Sequence, residues 1–204
     1  ATADRDADIC KSVITSLQQQ HINPAPMPSE FDDAVVDLYL RKLDPRKMYF
    51  HQADVDTFRE HGRGLQKQLR RGDLSFLEAV LKVYRQRVRQ YDEVARTCAA
   101  ADFDFTIDET IDLDFQNTPY VASEEEARER WRKWTKYDLL AMRLPGETMQ
   151  QKRERMKKRY AHFLNQVVNA DRDDELQDFL NAVGQAFDGH SGYLSPKTVD
   201  KFNI

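Results

Sequence analysis

The residues from 74 to 98 carry a heptad pattern of apolar side chains that constrains the fold more than any other feature of the sequence. The pattern recurs at spacings of three and four and consists of Leu74, Leu77, Leu81, Tyr84, Val88, Tyr91, Ala95 and Cys98. This spacing places all of these side chains on one stripe of an α-helix. Gly72 and Asp73 precede the stripe and supply a break and a predicted N-cap. A helix of about 25 residues is roughly 38 Å long, so only a large helical domain can bury it.

The next segment, residues 102–115, changes to an alternating period. Apolar residues occupy most odd positions, and aspartate or threonine occupies the even positions. The apolar members are Phe103, Phe105, Ile107, Ile111, Leu113 and Phe115. Alternation of this kind is typical of an extended segment with one buried face. We expect this acidic segment to be the place where the domain meets a partner outside itself.

Composition and local signals predict helices elsewhere in the chain. Hydrophobic residues make up 40% of the 204 residues, and the chain contains only 7 glycines and 7 prolines. This balance favours helices over a sandwich or barrel. Capping and periodicity predict helices over 4–21, 29–43, 53–70, 124–144, 148–169 and 173–187. The predicted fold class is therefore mainly α: a multi-helix domain with one long central helix and a short extended segment near 102–115.

Charge and hydropathy exclude two classes of partner. The formal net charge of −4 argues against a general nucleic-acid binder. No apolar run approaches about 18 residues, so the sequence predicts no transmembrane segment.

Three groups of residues have the composition of a catalytic or ligand site, but their spacing favours structural roles. Asp188, His190 and Ser191 have the residue types of a catalytic triad, yet they are too close in sequence for an imidazole to lie between acid and nucleophile. We interpret them as a turn. The acids from Asp102 to Asp108 resemble a calcium loop, but Ile107 stands where such a loop needs glycine. The basic run over 152–159 is interpreted as a solvated or salt-bridged helix face.

The remaining candidates also favour structural roles. Trp131 and Trp134 lie at helical spacing, which is more typical of a core than of a ligand platform. No metal-binding or phosphate-binding motif occurs in the sequence. We therefore assign no catalytic, cofactor-binding or metal-binding residue. Cys10 and Cys98 leave two alternatives open, either one disulfide in an oxidising compartment or two small core residues.

Several motifs, taken together and in order, resemble the N-terminal domain of tail-specific proteases, also called C-terminal processing peptidases. The motifs are LDPRKMYF at 43–50, RGDLSF at 71–76, FDFTIDET at 103–110, WRK at 131–133, YLSP at 193–196 and FNI at 202–204. The sequence departs from the family pattern before YLSP. Gly189 stands where the family usually has proline, and Gly192 replaces a small hydroxyl residue. These glycines make the turn less rigid than the family pattern.

The resemblance implies a secreted, periplasmic serine peptidase that processes or degrades proteins from their C-termini. Such enzymes hold the substrate terminus with a PDZ domain and hydrolyse it with a Ser/Lys dyad. Both parts are expected outside this chain, so the chain itself is expected to be inert. Residues 1–187 would form the helical N-terminal domain, and 188–204 a linker leading toward the PDZ and protease portion.

The resemblance also suggests partners and junction residues. The expected partners are the PDZ and protease domains of the same protein, substrates with accessible C-termini, and an adaptor or a second copy. The junction contacts are expected at Asp188, His190, Ser191, Tyr193 and Pro196. An alternative is a free-standing helical adaptor or protein-binding module without peptidase activity. No cofactor is expected in either case.

Overall fold

A computed structural model of the chain describes residues 2–19, 27–142 and 145–202. The fold class is mainly α, as predicted, and no strand occurs within these ranges. The helices are α1 (Thr2–Gln19), α2 (Phe31–Leu43), α3 (Gln52–His61), α4 (Leu65–Arg70), α5 (Ser75–Ala100), α6 (Glu124–Ala141), α7 (Met149–Val168), α8 (Arg172–Phe187) and α9 (Pro196–Phe202). The predicted ends of the first helix at His21 and of the sixth at Leu144, and the proline-rich break at 23–26, lie outside the described residues. The helix α9 was not predicted.

The helix α5 confirms the heptad prediction in length and in burial. It has 26 residues, and the stripe from Leu77 to Ala95 is buried along its whole length. Its start differs slightly from the prediction. The helix begins at Ser75, so Leu74 lies outside it. Asp73 accepts a bond from the amide of Ser75 (2.9 Å), the first residue of the helix.

The predicted helix over 53–70 is two helices, because the chain turns at residues 62–64. Gly64 has a φ of 74°, a left-handed conformation that glycine adopts without a steric penalty. The carboxylate of Asp32 on α2 accepts bonds from the amides of Gly64 and Gln66, both at 2.8 Å. It thereby satisfies donors that the first turn of α4 cannot pair internally.

The caps of the later helices follow the sequence signals closely. Ser123 accepts from the amide of Glu126 at 3.1 Å, while the Glu126 carboxylate bonds the amide of Ala122 instead of that of Ser123. Thr148 forms a complete capping box with Gln151. Asp171 caps α8, two residues before the predicted start.

The chain divides into two compact units. The first comprises residues 1–43, 55–82 and 170–204. Within it, α2 packs against α8, and the ring of Phe179 contacts those of Tyr39 (5.1 Å between centroids) and Phe76 (6.0 Å). Buried Asp6 on α1 accepts from Arg172 Nε at 2.8 Å, which joins α1 to α8.

The second unit comprises residues 44–54 and 83–169. Its core contains residues of α5, α6 and α7, with Tyr91 in edge contact with Trp131 and Tyr160. The indole of Trp131 donates to the carbonyl of Met48 at 2.5 Å. Both tryptophans are buried, as predicted.

The turn at 44–50 is organised by the buried carboxylate of Asp44. Its two oxygens accept from the amides of Met48 (2.7 Å), Tyr49 (2.8 Å) and Phe50 (3.0 Å). Burial raises the pKa of the Asp44 carboxyl, and the three amide bonds oppose that shift. The turn positions the backbone of Lys47 and Met48, whose carbonyls accept from α6.

Candidate protein-docking surface

The loop at residues 101–120, between α5 and α6, is irregular and exposes part of the apolar side predicted to be buried. Phe103, Ile111 and Phe115 are half-buried. The exposed members are Phe105 (36%), Ile107 (57%) and Leu113 (61%). The alternation therefore does not produce one buried face, because turns at 105–106 and 115–117 rotate successive side chains away from a single plane.

The loop is fastened to α6 by a charged cluster that we call the latch: Glu109, Arg132 and Lys136. Glu109 accepts from Lys136 Nζ at 2.6 Å and from Arg132. Lys136, which is buried, also donates to the carbonyl of Ile107 at 3.0 Å. Hydrogen bonds from Arg132, which has the larger effect, and from Lys136 lower the pKa of Glu109 to about 2. The latch keeps Glu109 ionised and fixes the backbone on which Ile107 stands.

Two aspartates of the loop, Asp104 and Asp112, form side-chain bonds that stabilise turns. Asp104 accepts from the amide (2.8 Å) and the hydroxyl (2.6 Å) of Thr106. Asp112 accepts from the amide of Asp114 (2.8 Å) and from the hydroxyl of Thr118 (2.7 Å). These side-chain bonds replace the backbone ladder that a strand would provide.

Beside the latch lies an exposed apolar surface, the loop–α6 patch, formed by Phe105, Ile107, Tyr137 and Leu140. Tyr137 is 41% exposed and Leu140 is 50% exposed. All four line a cleft of about 340 Å³. Large apolar side chains grouped around a cleft and rimmed by charge are typical of a protein-binding surface.

A second feature of the same unit is an aromatic cleft of about 460 Å³. Its rings are those of Tyr49, Tyr91, Phe115, Trp134, Tyr137, Tyr160 and Phe163. It shares Arg46, Phe115 and Trp134 with an adjoining cleft of about 290 Å³. The guanidinium of Arg46 stands 5.6 Å from the Trp134 ring and 5.7 Å from the Phe115 ring, within cation–π range.

The predicted junction residues lie in and around the turn that follows α8. The Ser191 amide bonds the carbonyl of Asp188 at 2.8 Å, as a turn requires, and the Ser191 hydroxyl lies 3.3 Å from the Asp188 carboxylate. This direct Ser–Asp contact differs from a triad, in which the imidazole stands between the two. His190 is exposed. The prediction of a turn is confirmed.

The rest of this segment is tied to α8. The amide of Tyr193 donates to Asn181 and that of Ser195 to Gln177, both at 2.8 Å. Pro196 then begins α9. These bonds give the glycine-containing segment fixed anchor points, and its role as a junction to further domains stays a prediction.

Both cysteines are free thiols in the structure, and their pairing as a disulfide stays a prediction. Cys10 is buried, and its thiol donates to the carbonyl of Leu69 at 3.5 Å. Burial raises the pKa of Cys10 to about 12 and also raises that of Cys98. Both are therefore weak nucleophiles.

The basic run on α7 is largely paired, as predicted. Its ion pairs are Arg153–Asp102, Arg155–Glu147, Lys157–Glu154 and Arg159–Asp138. All of these except Lys157–Glu154 join α7 to residues outside it.

The latch and Arg46 were not predicted as features of a surface. The i,i+4 spacing of Arg132 and Lys136 was a usable signal, because it places two cations on one helix face beside an acidic loop. Arg46 gave no such signal, since its aromatic neighbours are distant in sequence.

The comparisons with known proteins agree with this helical architecture. The family described as "Tail specific protease N-terminal domain" matches residues 13–197. The chain belongs to this family of tail-specific protease N-terminal domains.

A curated relative is also a tail-specific protease. The chain is 27% identical over 194 residues to the tail-specific protease of Haemophilus influenzae, a match that covers 95% of this chain. It spans 28% of the length of that relative. No helix in the described part of the chain is long and apolar enough to cross a membrane.

Proposed function

We propose that this chain is a non-catalytic helical scaffold or regulatory domain of a periplasmic serine peptidase that processes or degrades proteins from their C-termini. The family match over 13–197 carries this proposal. In this reading the PDZ domain and the Ser/Lys catalytic core belong to other parts of the same protein and are partners of this domain.

The loop–α6 patch supports a docking role for the domain. Its apolar side chains are presented on a backbone that the latch holds in place, which lowers the entropy lost when a partner binds. We assign the patch to contact with the protein's own peptidase portion. The segment 188–204 would lead the chain toward that portion.

The test uses the full-length protein encoded by the gene that contains this chain. Ile107→Ser with Leu140→Ser removes two exposed apolar side chains from the patch. We expect degradation of an unstructured peptide substrate to fall severalfold while the chain stays folded, because partner contacts lose buried apolar area. Met149→Ser is the matched control, since Met149 is also exposed (37%) and lies outside the patch.

Three results would contradict the proposal. The double variant could retain the activity of the control. The purified 204-residue chain could cleave the peptide in a manner abolished by Ser191→Ala. The gene could lack PDZ and Ser/Lys motifs, which would favour the adaptor alternative.

A further inference from the structure

We propose that the aromatic cleft and its smaller neighbour together bind an extended peptide segment with one Asp or Glu side chain between large apolar side chains. Arg46 would pair with that carboxylate, and the rings around it would receive the flanking side chains. This inference rests on the geometry of the second unit alone and is independent of the proposed function.

The electrostatic situation of Arg46 favours an anionic ligand. The side chain is exposed, it lies over the Phe115 and Trp134 rings, and no carboxylate among the described residues pairs with it. A guanidinium stacked on aromatic faces is held in place yet keeps its N–H donors available for a bidentate carboxylate. The site therefore presents a prepositioned cation between two apolar surfaces.

The other charged side chains of the larger cleft are already paired with each other. Asp138 accepts from Tyr160 at 3.1 Å and from Arg159, so this acid and this base neutralise each other. What is left is one unpaired positive charge, which is complementary to a ligand with one negative charge.

In the smaller cleft, the charged side chains other than Arg46 also have partners. Asp112 is bonded to Thr118, and Glu129 pairs with Arg132 at 2.7 Å. Arg130 lies 3.6 Å from the carboxylate of Glu126, its counter-ion, and also donates to the carbonyls of Lys47 (2.9 Å) and Pro119 (3.2 Å). Lys133 lies 4.0 Å from Glu129, so it is close to its own counter-ion. Arg46 is thus the cation with unused capacity.

The position of Arg46 between the two clefts indicates where the carboxylate lies in the ligand. Arg46, Phe115 and Trp134 line both clefts, so Arg46 stands where the two meet. A peptide that fills both clefts passes Arg46 in its middle and has residues on either side of the acid. This favours an internal acidic side chain over a terminal carboxylate.

The walls are preorganised for apolar side chains. Tyr49 stacks on Phe163 (5.6 Å between centroids) and meets Tyr91 edge-on at 5.3 Å. The turn that carries Arg46 and Tyr49 is held by the three amide bonds to Asp44. Rigid aromatic walls cost little entropy on binding and provide large contact areas.

The experiment measures binding of a capped heptapeptide array, acetyl-Gly-Φ-Φ-Glu-Φ-Φ-Gly-amide, to the purified chain by fluorescence anisotropy. Φ is leucine, phenylalanine or tyrosine. Each peptide has a Gln counterpart, and a third set combines the Gln sequence with a free C-terminal carboxylate. The protein variants are Arg46→Gln and, as a control, Arg70→Gln, because Arg70 is an exposed arginine on α4. Circular dichroism verifies that each variant is folded.

We expect at least one Glu peptide to bind the wild-type chain and to bind Arg46→Gln about tenfold more weakly. The Gln counterpart should bind the wild-type chain as weakly as the Glu peptide binds Arg46→Gln. Its own affinity should be the same for the wild type and for Arg46→Gln. Arg70→Gln should leave all affinities unchanged. The proposal is overturned if no Glu peptide binds, if Glu and Gln peptides bind equally, if Arg46→Gln has no effect, or if the free C-terminal carboxylate alone confers binding.

Discussion

At the scale of single residues, Asp44 shows how a motif signal becomes structure. The sequence places it before Pro45 at the end of α2, and the structure uses both carboxylate oxygens to close the turn at 45–50. A buried carboxylate is tolerated there because backbone donors replace the water it loses. The same bonds orient Tyr49 and Phe50 into the core.

Replacing Asp44 should therefore destabilise the domain strongly. Asp44→Ala leaves the amides of Met48 and Phe50 buried without acceptors, and each unsatisfied amide costs about 1–3 kcal/mol. We expect the free energy of unfolding to fall by about 2–5 kcal/mol, as measured by urea denaturation. Asp44→Asn should cost less, because one acceptor oxygen remains. Glu60→Ala, at an exposed position on α3, is the control, and equal midpoints for it and Asp44→Ala would contradict the account.

Glu109 gives a prediction about pH. Its pKa falls from 4.5 to about 2 in the folded chain because Arg132 and Lys136 donate to the carboxylate. The unfolded chain thus binds the proton at higher pH, so the latch contributes its full stability above pH 4.5 and loses it as pH falls toward about 2. The difference in denaturation midpoint between the wild type and Glu109→Gln should be constant above pH 4.5 and shrink below it. A difference that does not change with pH would count against the latch.

At the scale of elements, the sequence predicts the helices well and the loop poorly, for one physical reason. Helix α5 depends on an internal heptad, and the caps at Ser123 and Thr148 depend on residues three positions away. How far Ile107 and Leu113 are buried depends on which side chains of α6 face the loop. Alternation in the sequence contains no information about that surface.

Gly64 and Gly72 allow the cost of a left-handed backbone to be distinguished from the cost of a steric clash. Gly72 has a φ of 72°, and a Cβ there would lie 2.8 Å from the carbonyl oxygen of Ala7 on α1. Gly64 has a φ of 74° with nothing within 4 Å. Gly64→Ala should cost only the left-handed penalty of about 1–2 kcal/mol. Gly72→Ala should cost about 1–3 kcal/mol more, because it also overpacks the contact with α1. Equal melting temperatures for the two variants would contradict this reading of Gly72.

At the scale of the whole molecule, α5 contributes core residues to both compact units. Phe76 and Leu77 are buried in the first unit, and Val88 and Tyr91 in the second. The stability of each unit therefore depends on the same helix being intact.

A break in the middle of α5 should consequently affect both units. Gln86 is exposed, so Gln86→Pro removes a helix hydrogen bond without disturbing the core directly, at a cost of about 3 kcal/mol or more. We expect hydrogen exchange to accelerate in α2 and α8 of the first unit as well as in α6 of the second. Gln86→Ala serves as the control. Acceleration confined to residues 83–169 would show that the units unfold separately.

The candidate sites lie at this largest scale, which explains why so little of them could be predicted. Residues 43–50 and 131–133 attract attention as family motifs, but of their aromatic residues only Trp131 was predicted to be buried, from its helical spacing, and it is. The aromatic cleft, however, brings Arg46 to Phe115 and Trp134, which are separated from it by about seventy to ninety positions. Only the folded chain defines that proximity.

The latch has a further consequence if the chain belongs to a peptidase, as proposed. The loop at 101–120 makes up most of residues 101–123, the longest stretch without helix in the described ranges, and an extended, irregular stretch is what a protein-degrading enzyme accepts as substrate. To enter an active site, this loop would have to leave α6 and give up the bonds at Ile107 and Glu109. In that case the bonds made by the three latch residues would protect this loop from cleavage by the peptidase.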